Sequence, residues 1–306
     1  MLLGAWATLA ILSAPPAQCQ DTIPSFTLTS EPPLLTEGTV GWIRVQPSVG
    51  ATVSGGEAAG QRIHFERLAD SGFRALVGVP IEVGDSLRIS LILQHAERND
   101  TIATALPVRQ AGYLREQLAV APAFVRPDKV AAARIRSDIA KGRQVSRLSQ
   151  GRSRLWQGPF RLPRESRITS RYGTARLYNG EVKSRHLGTD FAGGVGAPVN
   201  SAGRGVVALV ADMYLAGRAV YIDHGAGLVT AYFHLHRADV KLGDTVSAGQ
   251  RIGAVGKSGR VTGPHLHWVA RYGTFSVNPM SLLELEKPSP APTATDSSSG
   301  PTETGN

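Results

Sequence analysis

The 306-residue chain is 42% apolar and carries a formal net charge of +9, enough length for two domains of ordinary size. Its single cysteine, Cys19, excludes a disulfide framework and a thiolate metal site, so any metal must be held by histidine and carboxylate. The charge is uneven: positions 113–185 hold seventeen Lys or Arg against five Asp or Glu, a net of +12, and without aromatic interleaving this block does not read as a nucleic-acid surface. Attraction to an anionic cell envelope, or a solvated basic helix, accounts for it.

In chain order, the first element is the apolar run Leu2–Leu12, too short to span a bilayer. Small residues, prolines and Ala17-Gln18-Cys19-Gln20 follow, so positions 1–19 read as a secretory signal peptide, although the run lacks a leading Lys or Arg. Lipidation of Cys19 is the alternative, which Pro16 and Gln18 fit poorly. No other stretch is long and apolar enough to cross a membrane. A soluble, exported protein, periplasmic or extracellular, is therefore expected.

Positions 22–110 read as an all-β domain, with an immunoglobulin-like sandwich as the expected architecture. The predicted strands are Ser25–Thr29, Val40–Gln46, Arg62–Leu68, Phe73–Val79, Ser86–Gln94 and Thr101–Val108. Leu87, Ile89, Leu91 and Leu93 alternate with more polar residues, the pattern of a half-buried strand. Asp70-Ser71-Gly72 and Asn99-Asp100 supply turns. His64 and His95 stand alone here and are assigned no chemistry.

Positions 111–160 read as a basic connector with a helix over Lys129–Ala140, interrupted by Gly142. From Leu162 the chain is Gly-rich and strand-like up to a short helix at Met280–Glu286. A chain beginning near Trp156 is expected to fold alone. Lys287–Asn306 is Pro, Ser, Thr and Gly and is expected to be a disordered tail.

Six of the eight histidines lie between 186 and 267. In Thr262-Gly263-Pro264-His265-Leu266-His267-Trp268, alternation on a strand puts His265 and His267 on one face and Leu266 and Trp268 on the other. His186-Leu187-Gly188-Thr189-Asp190 sets a carboxylate four residues after a histidine. A straight strand would separate their Cα atoms by roughly 13 Å, so the segment must bend, and Gly188 permits it. Tyr232-Phe233-His234-Leu235-His236 ends a β-branched and aromatic run.

These pieces, together with Ser170-Arg171-Tyr172-Gly173, Gly196-x-Pro198-Val199, Asp223-His224-Gly225, Gly249-Gln250-x-Ile252-Gly253 and Gly256-x-Ser258-Gly259, resemble the lysostaphin-type (LytM-like) zinc metallopeptidases that cut peptidoglycan. The resemblance covers about positions 161–284. It implies a mainly antiparallel β catalytic domain, of duplicated hybrid motif type, over 161–286. It also implies one zinc ion on His186, Asp190 and His267, with His265 and His234 as the catalytic histidines that are not ligands. One of these takes the proton of the attacking water, with His265 favoured. The other stabilises the oxyanion or protonates the leaving amine. His224 is expected in a structural turn and His236 at the rim, while Tyr178 and Asn179 are candidates to line the substrate groove. The implied substrate is a peptidoglycan stem peptide or cross-bridge. A non-catalytic wall-binding or activator protein on the same fold, or a peptidase with another substrate, are the alternatives. Retention of all five residues favours the enzyme.

Overall fold

A computed structural model describes residues 25–96, 98–118, 128–178 and 181–285. The expected signal peptide at 1–19 with Cys19, the expected tail at 287–306, Asn179 and the Tyr178 side chain lie outside what is described. Among the described residues, no helix is long and apolar enough to cross a membrane.

The N-terminal strands are β1 (Phe26–Glu31), β2 (Leu35–Thr36), β3 (Val40–Pro47), β4 (Ala51–Ala58), β5 (Gln61–Arg62), β6 (Phe65–Arg67), β7 (Phe73–Gly78), β8 (Ser86–His95) and β9 (Arg98–Arg109). They form two sheets, ordered β1-β3-β7-β6 and β2-β9-β8-β4-β5. Both sheets contribute to one core. Ile43, Val45 and Val77 come from the first, and Leu87, Ile89, Leu91 and Leu93 from the second. The alternation in β8 is what turns those four residues inward together.

Three local expectations change. Asn99-Asp100, expected to supply a turn, lies within β9, opposite Gln94 and Leu93 of β8. The stretch Arg62–Leu68 is split between β5 and β6. Strand β4 was not anticipated, because Gly55-Gly56 and Glu57 argue against a strand. Gly56 is there for close approach: a Cβ would lie 2.7 Å from the Ser90 carbonyl oxygen on β8.

The C-terminal half contains β10 (Arg115–Leu118), α1 (Lys129–Ser149), β11 (Ile168–Ser170), β12 (Ala175–Tyr178), β13 (Glu181–Arg185), β14 (Thr189–Ala192), β15 (Pro198–Asn200) and β16 (Gly205–Met213). It continues with β17 (Gly217–Gly225), β18 (Leu228–Ala238), β19 (Thr245–Val246), β20 (Arg251–Val255), β21 (His265–Tyr272) and β22 (Phe275–Val277). A 3₁₀ segment, Pro279–Glu284, stands where a short helix was expected. The main sheet runs β11-β14-β21-β18-β17-β16-β19, and the fold is mostly antiparallel β.

The central strand β18 is buried on both faces, which is why Leu228–Phe233 reads as a continuous apolar run. Leu228 and Tyr232 face a core that also holds Leu266, Trp268, Phe191 and Trp156. Val229 and Ala231 face the other way, onto a cluster with Val269 and with Val145 of α1.

The segment 111–160 is thus more than a spacer. Strand β10 pairs in parallel with β12, and α1 covers part of the catalytic sheet. The helix also continues through Gly142, contrary to the expected interruption there. A Cβ at Gly142 would meet the Tyr221 hydroxyl at 3.0 Å, so the glycine admits close packing at a cost of about 1 kcal/mol in helix propensity. Asp128 caps the helix, its Oδ1 accepting from the Ala131 amide at 2.7 Å.

The two halves share a core. Val40, Trp42 and Leu76 of the first sheet pack in the same cluster as Trp156 and Tyr272. The Tyr272 hydroxyl donates to the Leu76 carbonyl at 2.7 Å, and its ring lies on Gly78, where a Cβ would come within 2.6 Å. The Asn278 amide donates to the Gly38 carbonyl at 2.6 Å.

This shared core argues against the expectation that a chain beginning near Trp156 folds alone. Such a chain would uncover Tyr272, Trp156, Val229 and Val269 together. Each large apolar side chain exposed costs about 1.5–3 kcal/mol, against a typical net stability of about 5–15 kcal/mol. The truncated chain is expected to aggregate or to melt without a cooperative transition, while the full chain unfolds cooperatively. A soluble truncation with a sharp thermal transition near that of the full chain would contradict this.

Candidate metal and catalytic site

Strand register builds the site. On β21, His265, His267 and Val269 share one face, as alternation predicts. Strand β14 pairs with β21 so that Asp190 stands opposite His267 and Ala192 opposite His265. On the other side of β21, Phe233 of β18 is opposite His267. The Phe233 ring stacks on the His267 imidazole, with centroids 5.5 Å apart and planes at 26°. The site therefore occupies the open part of the sheet face whose remainder α1 covers.

His186 follows β13 and approaches from a bend, not from the strand that carries Asp190. Its Nε2 lies 3.2 Å from Asp190 Oδ2 and 3.1 Å from His267 Nδ1. His267 Nδ1 lies 2.6 Å from Asp190 Oδ1. The donor atoms of these three residues all fall within 4.8 Å of one another. Two nitrogen donors and a carboxylate converging on one point fit a divalent metal of the zinc type and leave room for a further ligand. The His186 Nδ1 is 2.9 Å from the Arg171 carbonyl oxygen and 3.2 Å from Ser170 Oγ. A carbonyl only accepts, so Nδ1 carries the proton and Nε2 keeps its lone pair for a metal.

Gly188 serves differently from what the sequence suggested. Its backbone is not left-handed, and the bend does not rest on its freedom. A Cβ there would lie 2.6 Å from His267 Cε1, 2.7 Å from His267 Nε2 and 2.7 Å from the Trp268 carbonyl oxygen. The glycine makes room for the His267 ring.

His234 sits on a distortion. It has φ +62°, a left-handed conformation that is strained for a residue with a Cβ. Arg218 pairs with Leu235 and Val220 with Tyr232, so Phe233 and His234 together oppose Ala219 in a β-bulge. The bulge breaks the alternation and turns His234 toward His265, with ring centroids 4.9 Å apart. It is pinned by three contacts. The His234 amide donates to the Ala216 carbonyl at 2.8 Å. Its Nδ1 donates to the Ser258 carbonyl at 2.9 Å, and Ser258 Oγ accepts from the Arg218 amide at 2.9 Å. His236 is exposed beyond the bulge.

His265 Nδ1 donates to the Gly263 carbonyl at 2.9 Å, and its Nε2 is 3.8 Å from Asp190 Oδ1. Both His234 and His265 therefore keep an unprotonated Nε2 when neutral. Burial lowers the His234 pKa to about 4 and also lowers that of His267. Burial works to raise the Asp190 pKa, but the His186 and His267 rings set against the carboxyl outweigh it and hold it well below the usual range. Neutral imidazoles beside an ionised carboxylate are the state a metal requires.

The remaining histidines lie elsewhere. His224 is fully buried within β17, not in a turn, and is bonded at both ring nitrogens, to the Arg204 carbonyl and to Thr230 Oγ1, each at 2.8 Å. His95 ends β8, and His64 lies in the connection between β5 and β6. The sequence reading missed Phe233 as the ring stacked on His267. It also missed the carbonyls of Arg171, Ala216 and Ser258, because a backbone acceptor leaves no mark on residue type.

Comparison with known proteins agrees with this geometry. Residues 184–279 match the sequence profile of peptidase family M23. Over those residues the chain is similar to family M23 peptidases. The chain is 41% identical over 118 residues to the peptidoglycan DD-endopeptidase ShyC of Vibrio cholerae, covering 38% of this chain and 27% of the relative. It is 48% identical over 105 residues to the peptidoglycan DD-endopeptidase ShyA of the same organism, covering 33% and 24%. The chain thus spans about a quarter of the length of these curated relatives. A crystal structure from Pseudomonas aeruginosa described as a peptidase M23 shares the fold, with TM-score 0.59 and 24% identity over 81% of this chain and 94% of the other. That likeness reaches beyond the M23 domain into the N-terminal sheets.

Proposed function

We propose that this protein is an exported zinc metalloendopeptidase that hydrolyses peptide bonds in peptidoglycan stem peptides or cross-bridges at the cell envelope. The observation that carries the proposal is the convergence of His186 Nε2, Asp190 and His267 Nδ1 beside two non-ligating histidines within an M23 domain. Peptidoglycan is the substrate named for the relatives ShyC and ShyA.

His186, Asp190 and His267 would hold the zinc ion. When bound, zinc supplies Lewis-acid polarisation of the scissile carbonyl and makes a water there more acidic. The chain's own groups manage the protons. His265, the more exposed of the pair, presents Nε2 to the attacking water and takes its proton. His234, held by the Ser258 and Ala216 carbonyls, faces His265 across the site and acts on the oxyanion or the leaving amine. Its strained backbone fixes its ring before substrate arrives.

The test is digestion of purified sacculi by the zinc-loaded full chain, with mass spectrometry of the released muropeptides. Cross-linked dimers should fall and monomers rise. An unchanged muropeptide profile, beside an active endopeptidase control, would refute the substrate.

A further inference from the structure

The structure sorts the basic block into cations that are consumed and cations that are free. Arg134 and Lys141 pair with the buried Asp138 at 3.6 and 3.3 Å. Arg152 pairs with Asp223 at 3.2 Å, Arg154 with Glu66 at 2.5 Å and Arg185 with Glu82 at 2.6 Å. Arg164 is spent on the Ala192 and Pro198 carbonyls.

Four residues of α1 differ from these. Lys129, Arg136, Arg143 and Arg147 are exposed, and among the described residues none of their side chains takes part in a hydrogen bond or an ion pair. Their spacings of seven, seven and four keep them within about 40° of one line on the helix at about 100° per residue, over a length of about 27 Å. The buried face of α1, with Ala131, Asp138, Gly142, Val145 and Ser149, lies on the far side of the helix. The four cations are its outward crest.

We propose that this crest is a rail that binds the free carboxylates of peptidoglycan and guides the polymer to the catalytic groove. The inference rests on the peptidoglycan reading above. Three observations favour a carboxylate-bearing polymer. The crest is a line of one sign, and Asp138, the only acidic residue of α1, lies on the other side, so nothing on the helix opposes an anion. Ala133, Ser137, Ala140 and Gln144 separate the cations. The exposed apolar residues of α1, Val130, Ile139 and Leu148, lie off the line of cations, Val130 and Leu148 on one flank and Ile139 on the other, so they form no continuous stripe for a lipid surface. Finally, α1 stands on the same sheet face as His265, His267 and Asp190, so a polymer lying along it is beside the site.

The test uses the full-length chain with Lys129→Gln, Arg136→Gln, Arg143→Gln and Arg147→Gln combined. Hydrolysis of a short soluble peptide should be unchanged, as should the thermal midpoint. Co-sedimentation with purified sacculi at low salt should weaken about tenfold or more, and its salt dependence should flatten. Sacculi with chemically amidated carboxylates give an independent arm, in which the unsubstituted protein should bind as weakly as the variant does to native sacculi. Equal binding of variant and parent to native sacculi, or of the parent to native and amidated sacculi, would overturn the rail. So would a loss of binding confined to phosphatidylglycerol vesicles. Failure of the substrate reading is distinct: the unsubstituted protein would then leave native sacculi undigested at every salt concentration.

Discussion

His267→Ala is expected to lose both bound zinc and peptide hydrolysis, whereas His265→Ala keeps about one zinc per chain and loses hydrolysis alone. The difference follows from which atoms converge. His267 Nδ1 lies 2.6 Å from Asp190 Oδ1 and 3.1 Å from His186 Nε2, so its removal takes one donor from a set of three. His265 Nε2 stands 3.8 Å from Asp190 and outside the triad. Losing a positioned proton acceptor costs about 10²–10⁴-fold in rate, without removing a ligand. Elemental analysis and turnover of a soluble peptide, measured on the same preparations, separate the two. Equal zinc loss in both variants would show that ligand and proton acceptor have been exchanged in this assignment.

Gly188→Ala is expected to lower both zinc content and kcat/KM by about 100-fold or more, although it adds one methyl group to a residue outside the ligand set. The added Cβ would stand 2.6 Å from the His267 ring and 2.7 Å from the Trp268 carbonyl oxygen. The carbonyl belongs to β21, which is paired on both sides and cannot retreat. The His267 ring must then turn, and displacing a reacting group by about 1 Å can cost about 10²-fold. Glycine's left-handed freedom plays no part, so the defect should appear as weakened zinc affinity in a folded protein. A Gly188→Ala protein with full zinc and full activity would mean that the bend relaxes more easily than its packing indicates.

The N-terminal sheets and the catalytic sheet meet through backbone groups that residue type does not advertise. Tyr272 reads in the sequence as one more aromatic on a strand. In the fold it closes the junction, with its hydroxyl on the Leu76 carbonyl and its ring on Gly78. Gly142 reads as a helix breaker, yet it lets α1 lie against Tyr221. Gly142 and Gly188 were misjudged for one reason: a glycine's partner is chosen by long-range packing, and the sequence shows only its local conformational cost.

What the sequence determined by itself was whatever depends on local periodicity and residue chemistry. Alternation put His265 and His267 on one face and Leu266 and Trp268 in the core. The inward set of β8 and the buried run of β18 were legible for the same reason. The lack of any cysteine near these histidines limited metal donors to histidine and carboxylate. Only the tertiary structure decided which groups meet across the chain. The register of β14 against β21 set Asp190 opposite His267. The bulge opposite Ala219 turned His234 inward and left His236 exposed at the rim. The packing of α1 against the sheet buried Asp138 with Arg134 and Lys141 beside it, and left the other cations of the helix pointing outward. Each of these depends on residues far apart in the chain, whose contact is set by the sum of many buried side chains and not by any short stretch of sequence.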